Sequence, residues 1–182
     1  MSDRCPLEQM MTWLHRVVIG ENLCPFAKPS VDAGQFDLRV SGASDLNQAY
    51  LDTLSYLDWF LREEADVFDS AMIIFPQGLQ DFEVYLDCLA AMEAAIEELN
   101  LEGVIQLASF HPDYLFEGEA IDDQAHWTNR SPIPTIHILR EERVSQFLDL
   151  VPHPEKIPQR NIDHFRSLSS DQLDALFSDL SS

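Results

Sequence analysis

Segments whose apolar residues have the spacing of a strand alternate along this chain with segments whose apolar residues have the spacing of a helix. This alternation constrains the fold more than any other feature of the sequence. Residues 71–75 form a continuous apolar run, as expected for a strand that is buried on both faces. The segments on either side of it, residues 45–64 and 81–99, carry apolar residues at helical spacing. Shorter strand-like segments at residues 36–40 and 104–110 extend the alternation. Strands that alternate with helices of this length are typical of a parallel sheet with crossover helices.

The predicted fold is therefore a single α/β domain with a mainly parallel central sheet of three or four strands and helices on both faces. The fourth strand depends on residues 135–141, which fit either a strand or a helix that begins at Pro134. We favour the strand because Ile136 and Ile138 are β-branched. Further helices are expected at residues 6–19 and 142–150, and a C-terminal helical extension is expected from about residue 151, with helices near 159–168 and 170–180.

The charge balance restricts the partners of the chain. The sequence has 32 acidic and 11 basic residues, which gives a formal net charge of −21. Such a charge repels phosphate backbones and anionic lipid headgroups, so binding to nucleic acid or to a membrane surface is not expected. No segment reaches the ~20 apolar residues that cross a bilayer, and the N-terminal residues lack a signal-peptide pattern. Three cysteines without a CxxC pair suit a reducing compartment, so we expect a soluble, cytoplasmic protein.

The first candidate for chemistry is His111-Pro112-Asp113, at the end of the third predicted strand. Ligands of open parallel sheets bind outside the carboxyl ends of the strands. Histidine titrates near neutral pH, so His111 suits proton transfer or metal binding, and Asp113 would orient its ring. The alternative is a histidine that stacks on Pro112 and caps the strand end.

The second candidate is the turn Asn129-Arg130-Ser131. A guanidinium fork and short hydrogen-bond donors suit a carboxylate or a phosphate. An anionic ligand of such an acidic chain would need a positive group of this kind. The alternative is a turn in which Arg130 pairs with one of the many acidic side chains.

His137 and Arg140 are candidates whose cooperation depends on local conformation. They would share one side of a helix but point to opposite faces of a strand. A histidine between two isoleucines is also common as a satisfied core residue. Cys24 lies in a segment, residues 22–29, that two prolines predict to be non-helical. As a nucleophile it would need a nearby histidine, and otherwise it is a small buried apolar residue.

Side chains of the types that bind metals are present, but none has a recognised ligand spacing. A metal site is therefore only an alternative, and the acidic members are equally typical of an exposed loop. The candidate ligands are His111, Asp113, Asp122, Asp123, His126 and His137.

Three segments resemble a known family when they are taken together. They are NLCPFAKP at residues 22–29, ASFHPDY at 108–114 and TNRSP at 128–132, followed by PTIHILRE at 134–141. The combination resembles a bacterial domain-of-unknown-function family, number 1415, over nearly the whole chain. Ile133 departs from the aromatic residue expected in that family, which affects a packing contact. The family has no assigned activity, so the resemblance implies that these segments belong to one feature without implying a mechanism.

The leading hypothesis from these residues is an enzyme that acts on a small anionic metabolite, with a metal ion as an optional participant. His111 would be the acid–base group or metal ligand and Asp113 its orienting partner, while His137 and Cys24 would be secondary catalytic residues. One alternative is a non-catalytic small-ligand-binding or regulatory module. Another is a cysteine-dependent redox protein with an exposed Cys24 beside a histidine. The predicted substrate-binding residues are Asn129, Arg130, Ser131 and Arg140.

Overall fold

The computed structural model describes residues 5–178 and residue 180. Four strands form one sheet, and helices cover it on both sides. The strands are β1 (Phe36–Val40), β2 (Ser70–Ile74), β3 (Ile105–Phe110) and β4 (Thr135–Arg140). The helices are α1 (Pro6–Trp13), α2 (Ala27–Asp32), α3 (Leu46–Arg62), α4 (Phe82–Glu98), α5 (Glu141–Leu148), α6 (Ile157–Ser167) and α7 (Ser170–Phe177), together with a π-helix at Leu14–Ile19 and 3-10 turns at Gln124–Thr128 and Pro154–Lys156.

The sheet is mixed, so the prediction of a mainly parallel sheet is wrong. Its order is β1-β2-β4-β3, with β1 parallel to β2 and β4 antiparallel to both of its neighbours. The chain between β3 and β4 contains a 3-10 turn but no crossover helix. It therefore begins β4 at the edge where β3 ends and must run back across the sheet. The strand favoured for residues 135–141 is confirmed, but its apolar pattern carries no information about its direction.

The two faces of the sheet pack into separate cores. On one face Ala71, Ile73, Ile136 and Ile138 are buried against α3 and α4. On the other face Met72 and Ile74 pack with α1, the π-helix, α6 and α7. The prediction of helices on both faces is confirmed, and the C-terminal helices belong to the second layer. Among the described residues, no helix combines the length and the apolar character needed to cross a membrane.

The largest departures from the predicted helical limits are at α2, at α7 and at the first helix, which continues as a π-helix from Leu14. Helix α2 begins at Ala27, inside the segment expected to be non-helical. Pro29 is tolerated there because it lies in the first turn, where backbone N–H groups have no intrahelical partner. Helix α7 begins with a capping box between Ser169 and Gln172 and ends at Phe177, whereas the predicted helix continued to residue 180. Position 179 lies outside the described residues.

Arg140 connects α3 to the amino edge of the sheet. Its guanidinium donates hydrogen bonds to the carbonyls of Phe60 at 2.6 Å, Glu63 at 2.7 Å and Phe68 at 2.9 Å. It also lies 4.4 Å above the ring of Phe60. The carbonyls of Phe60 and Glu63 belong to the carboxyl end of α3, where a cation is favourable and carbonyl groups lack helical partners.

Replacing Arg140 with methionine should lower the free energy of unfolding by about 2–4 kcal/mol, because three carbonyls lose a charged donor. Urea denaturation measures this loss. Arg62→Met is the matched control, since it removes an exposed pair with Asp58 and should change stability little. Equal losses in the two variants would show that the buried contacts of Arg140 do not stabilise the fold.

Candidate functional site

At the carboxyl edge of the sheet, where the sequence predicts a ligand site, the turns after β1 and β2 pack against each other at Gly78. Gly78, in the turn after β2, has a positive φ of 89°. A Cβ at this position would lie 2.8 Å from the carbonyl oxygen of Ala43 and from the carbonyl carbon of Ser44, in the turn after β1. The turn after β2 and the turn after β1 are therefore in direct contact.

His111 is buried at this edge, and both of its ring nitrogens have partners. Nδ1 accepts a hydrogen bond from the N–H of Asp113 at 3.0 Å, so Nε2 carries the proton and donates to the carbonyl of Leu79 at 2.9 Å. Burial lowers the pKa of His111, although the Leu79 hydrogen bond and the charges of Asp113 and Asp81 oppose this shift. The ring is held neutral and connects the end of β3 to the turn after β2. Asp113 orients it through its backbone and not, as expected, through its carboxylate.

Of the residues of the predicted anion clamp, Arg130 and Ser131 line one pocket together with Pro112, and the side chains of Asn129 and Ser131 bind the backbone. Asn129 donates to the carbonyl of Ser109 at 3.0 Å, and Ser131 donates to the carbonyl of Ile133 at 2.7 Å. Arg130 lies over the ring of Trp127 at 4.6 Å. Burial lowers the pKa of Arg130. Two of the three predicted donors thus stabilise the return of the chain towards β4.

The other predicted polar residues are distributed over distant parts of the fold. Arg140 lies at the amino edge of the sheet, opposite the edge that carries His111. His126 is buried and binds the backbone of Phe116 and Ala120, while Asp123 forms an ion pair with Arg166. Among the described residues, no three His, Cys, Asp or Glu side chains are grouped as metal ligands.

A cavity of about 110 Å³ lies between the second face of the sheet and the N-terminal helices. Its floor includes His137, which pairs with Met72 on β2 and with Ala108 on β3. The lining is almost entirely apolar. Two of the predicted catalytic residues, His137 and Cys24, line this one cavity, whereas His111 and Arg130 do not. The cavity roof is formed by residues of the π-helix, the following loop and α2, which are Leu14, Val18, Cys24, Phe26, Ala27, Ser30 and Val31.

The π-helix gives the cavity roof an irregular winding. The N–H of Gly20 donates to the carbonyl of His15 at 3.0 Å, and the N–H of Leu23 donates to Val18 at 2.9 Å, so each bond spans five residues. Such wide turns are frequent at functional sites. Here the wide turns belong to the same segment that contributes Leu14 and Val18 to the cavity.

Within the described residues, His137 is the one titratable group on the cavity floor, and its Nε2 atom is buried without a hydrogen-bond partner there. Its ring contacts the rings of Phe36 and Phe110 at centroid distances of 6.3 and 6.4 Å. Burial lowers the pKa of His137 to about 3, so the ring is neutral at physiological pH. A buried polar atom without a partner costs ~1–3 kcal/mol. His137 therefore has hydrogen-bonding capacity that the protein itself does not use.

Cys24 is half-buried in the roof. Burial raises its pKa to about 11, although hydrogen bonds from the N–H groups of Phe26 and Ala27 act in the opposite direction. The thiolate is the reactive form of cysteine, and at neutral pH almost all of this thiol is protonated. The redox hypothesis required an exposed Cys24 beside a histidine, and this environment favours an unreactive thiol instead.

The apolar residues of the cavity were not identified from the sequence. Phe26, Met72 and Phe110 each have the pattern of an ordinary core residue, and they meet only because the N-terminal layer covers this face. One signal was present: His137 is a polar side chain on the inward face of a buried strand. Its unpaired nitrogen could not be deduced, because a backbone carbonyl from any element could have satisfied it.

A family model matches residues 6–175 of the chain, and its description is "protein of unknown function (DUF1415)". The match includes all the segments that form the cavity. No curated protein and no solved structure matches the chain.

Acid should destabilise the protein in part through His137. The pKa of its ring is about 3 when folded, against an ordinary value of 6.5, so the unfolded chain binds a proton first. The stability that depends on the neutral ring is complete above pH ~6.5 and is lost as the pH falls towards 3, by about 1.4 kcal/mol per pH unit. In His137→Phe this component is absent. Between about pH 6 and about pH 4.5, its unfolding free energy should therefore fall less steeply than that of the wild type.

Urea denaturation over a pH series measures how the unfolding free energy of the wild type and of His137→Phe depends on pH. The contributions of the acidic groups that the two proteins share cancel in the comparison. His15→Phe is the matched control, because His15 is exposed, and its slope should follow the wild type. Identical slopes for the wild type and His137→Phe would contradict the burial of a neutral ring at this position.

Alkylation tests the state of Cys24. Its reaction with iodoacetamide should be slow at neutral pH and should accelerate through pH ~9, because the thiolate population is still rising there. Peptide mapping separates Cys24 from Cys5, which is exposed and should react first in the same sample. A reaction of Cys24 that reaches its plateau below pH ~8 would restore the redox hypothesis.

Proposed function

Since the chain belongs to the DUF1415 family, whose description gives no activity, we propose a function from the geometry of the cavity. The protein is a binding module for a small, uncharged and largely apolar molecule that forms a hydrogen bond with His137. One observation carries this proposal: the buried Nε2 of His137 has no partner and belongs to a residue that lines an apolar cavity. A ligand with one hydrogen-bonding group would satisfy this nitrogen and fill the space beside it.

The size of the cavity limits the ligand. An apolar cavity of ~150 Å³ in another protein stays dry and binds benzene, so about 110 Å³ suits a flexible molecule with fewer non-hydrogen atoms than benzene. The nearly apolar lining leaves His137 as the main source of directional recognition. The cavity therefore favours a short apolar body with a single hydroxyl or amide group.

The charge of the cavity favours a neutral ligand over the anionic metabolite of the initial hypothesis. Among the described residues no lysine or arginine lines it, and the pKa of about 3 keeps His137 uncharged. A buried anion without a paired cation costs several kcal/mol. An anionic ligand would therefore have to be protonated before it entered.

Binding is favoured over catalysis for related reasons. Burial raises the pKa of the Cys24 thiol to about 11 and lowers that of the His137 ring to about 3. At neutral pH the thiol is a weak nucleophile and the ring a weak base. His111 has both nitrogens occupied, so it adds no free acid–base group.

Two isosteric probes test the role of His137. n-Butanol should bind with a dissociation constant of ~1 mM, which corresponds to about 1 kcal/mol per non-hydrogen atom. n-Pentane has the same shape but no hydroxyl. In His137→Leu the ratio of the two affinities should shift towards n-pentane by roughly tenfold, because the hydroxyl then enters the cavity without a partner.

Chemical-shift titration of labelled protein gives both affinities and reports which residues move. Met72→Leu is the matched control, since it changes an apolar neighbour of His137 on the same floor and should keep the wild-type ratio. Failure of both probes to bind the wild type, or an unchanged ratio in His137→Leu, would overturn the proposed function.

A further inference from the structure

A groove of about 310 Å³ lies beside the cavity. Val18, Cys24 and Phe110 line both spaces. These three residues therefore form the partition between the cavity and the groove.

We propose that the cavity and the groove form one continuous site for an uncharged, single-chain amphiphile, such as a medium-chain alcohol or primary amide. The polar head forms a hydrogen bond with His137, and the chain passes Cys24 and lies along the groove. This inference rests on the proposed function, and it adds the class and the orientation of the ligand.

The chemistry of the groove supports an apolar chain in this position. Its lining includes Leu23, Phe116, Ile157 and Ile162, and no charged side chain in the described part of the chain lines it, although the net charge of the protein is −21. An uncharged groove on such an acidic protein excludes ion pairing as its means of recognition and leaves apolar contact.

The polar residues of the groove already have partners within the protein. Thr128 donates to the carbonyl of Ala125 at 2.9 Å, and Asn129 donates to the carbonyl of Ser109 at 3.0 Å. Asn161 donates to the carbonyl of Leu23 at 2.8 Å. Nε2 of His137, by contrast, is a buried polar atom without a partner among the described residues, which favours the head inside the cavity and the chain in the groove.

The wall of the groove is held in place before a ligand binds. Helix α6 contacts the residues just before Cys24: Arg160 donates to the carbonyl of Asn22 at 2.5 Å, and His164 lies 2.6 Å from Glu21. With the Asn161 contact, these bonds connect α6 to three successive residues of the loop. Because this wall is already ordered, less conformational entropy is lost when a ligand binds.

Chain length and charge test the inference with n-butanol, n-octanol and n-octanoate. n-Octanol should bind the wild type at least tenfold more tightly than n-butanol, because each methylene removed from water contributes about fourfold. n-Octanoate at about pH 7 should bind at least tenfold more weakly than n-octanol, since its carboxylate would face a neutral histidine. Chemical-shift titration measures all three dissociation constants.

Groove variants identify where the chain lies. Ile162→Gln should remove most of the advantage of n-octanol while leaving n-butanol unchanged, because Ile162 lines the groove but not the cavity. Ile157→Gln makes the same test from the first residue of α6 and serves if the other variant fails to fold. Gln159→Ser, an exposed position on the same helix, is the control and should behave as the wild type.

The outcomes separate the two proposals. If n-butanol binds but n-octanol binds no more tightly, or if the groove variants keep the full advantage of n-octanol, the continuous site is overturned and the proposed function remains. If n-octanoate binds as tightly as n-octanol, the uncharged ligand class is overturned. If none of the probes binds, both proposals fail.

Discussion

The structure depends on β4, an antiparallel strand in the middle of the sheet. β2 and β3 do not pair with each other, so β4 supplies the hydrogen bonds that hold them in one sheet. Its side chains also divide between the two cores: Ile136 and Ile138 pack towards α3 and α4, while His137 faces the N-terminal layer. β4 thus holds the sheet together, contributes side chains to one core and positions the unpaired nitrogen of the candidate site.

The antiparallel direction of β4 explains why so many polar residues surround it in sequence. The chain must turn back over the carboxyl edge, and its backbone groups need partners where no regular strand or helix supplies them. His111, Asn129 and Ser131 provide these partners by binding the carbonyls of Leu79, Ser109 and Ile133. Polar residues in this loop are therefore explained by the geometry of the chain reversal, and a functional role is not required to account for them.

Much of the fold could be predicted from the sequence, because helical and strand periods are local properties. The positions of β1, α3 and α4 follow from apolar spacing alone. The direction of β4 does not, since a strand has the same pattern in either direction. For the site, His137 and Cys24 were identified by residue type, but their common cavity depends on packing between segments more than 100 residues apart. The crevice rule predicts a site at the carboxyl edge, where the turn after β2 contacts the turn after β1 at Gly78, whereas the cavity lies on one face of the sheet.

Because of the π-helix, the shape of the cavity depends on the number of residues in Leu14–Ile19 as well as on their types. An α-helix turns by about 100° per residue, so one residue in excess rotates everything that follows by that angle. Deleting a single residue within Leu14–Ile19 would restore regular winding and turn the segment leading to Cys24 away from β4. The orientation of Leu14, Val18 and Cys24 towards the cavity therefore depends on the number of residues in this segment. In this part of the chain, the length of the segment determines the shape of the cavity roof, and no particular sequence motif is required.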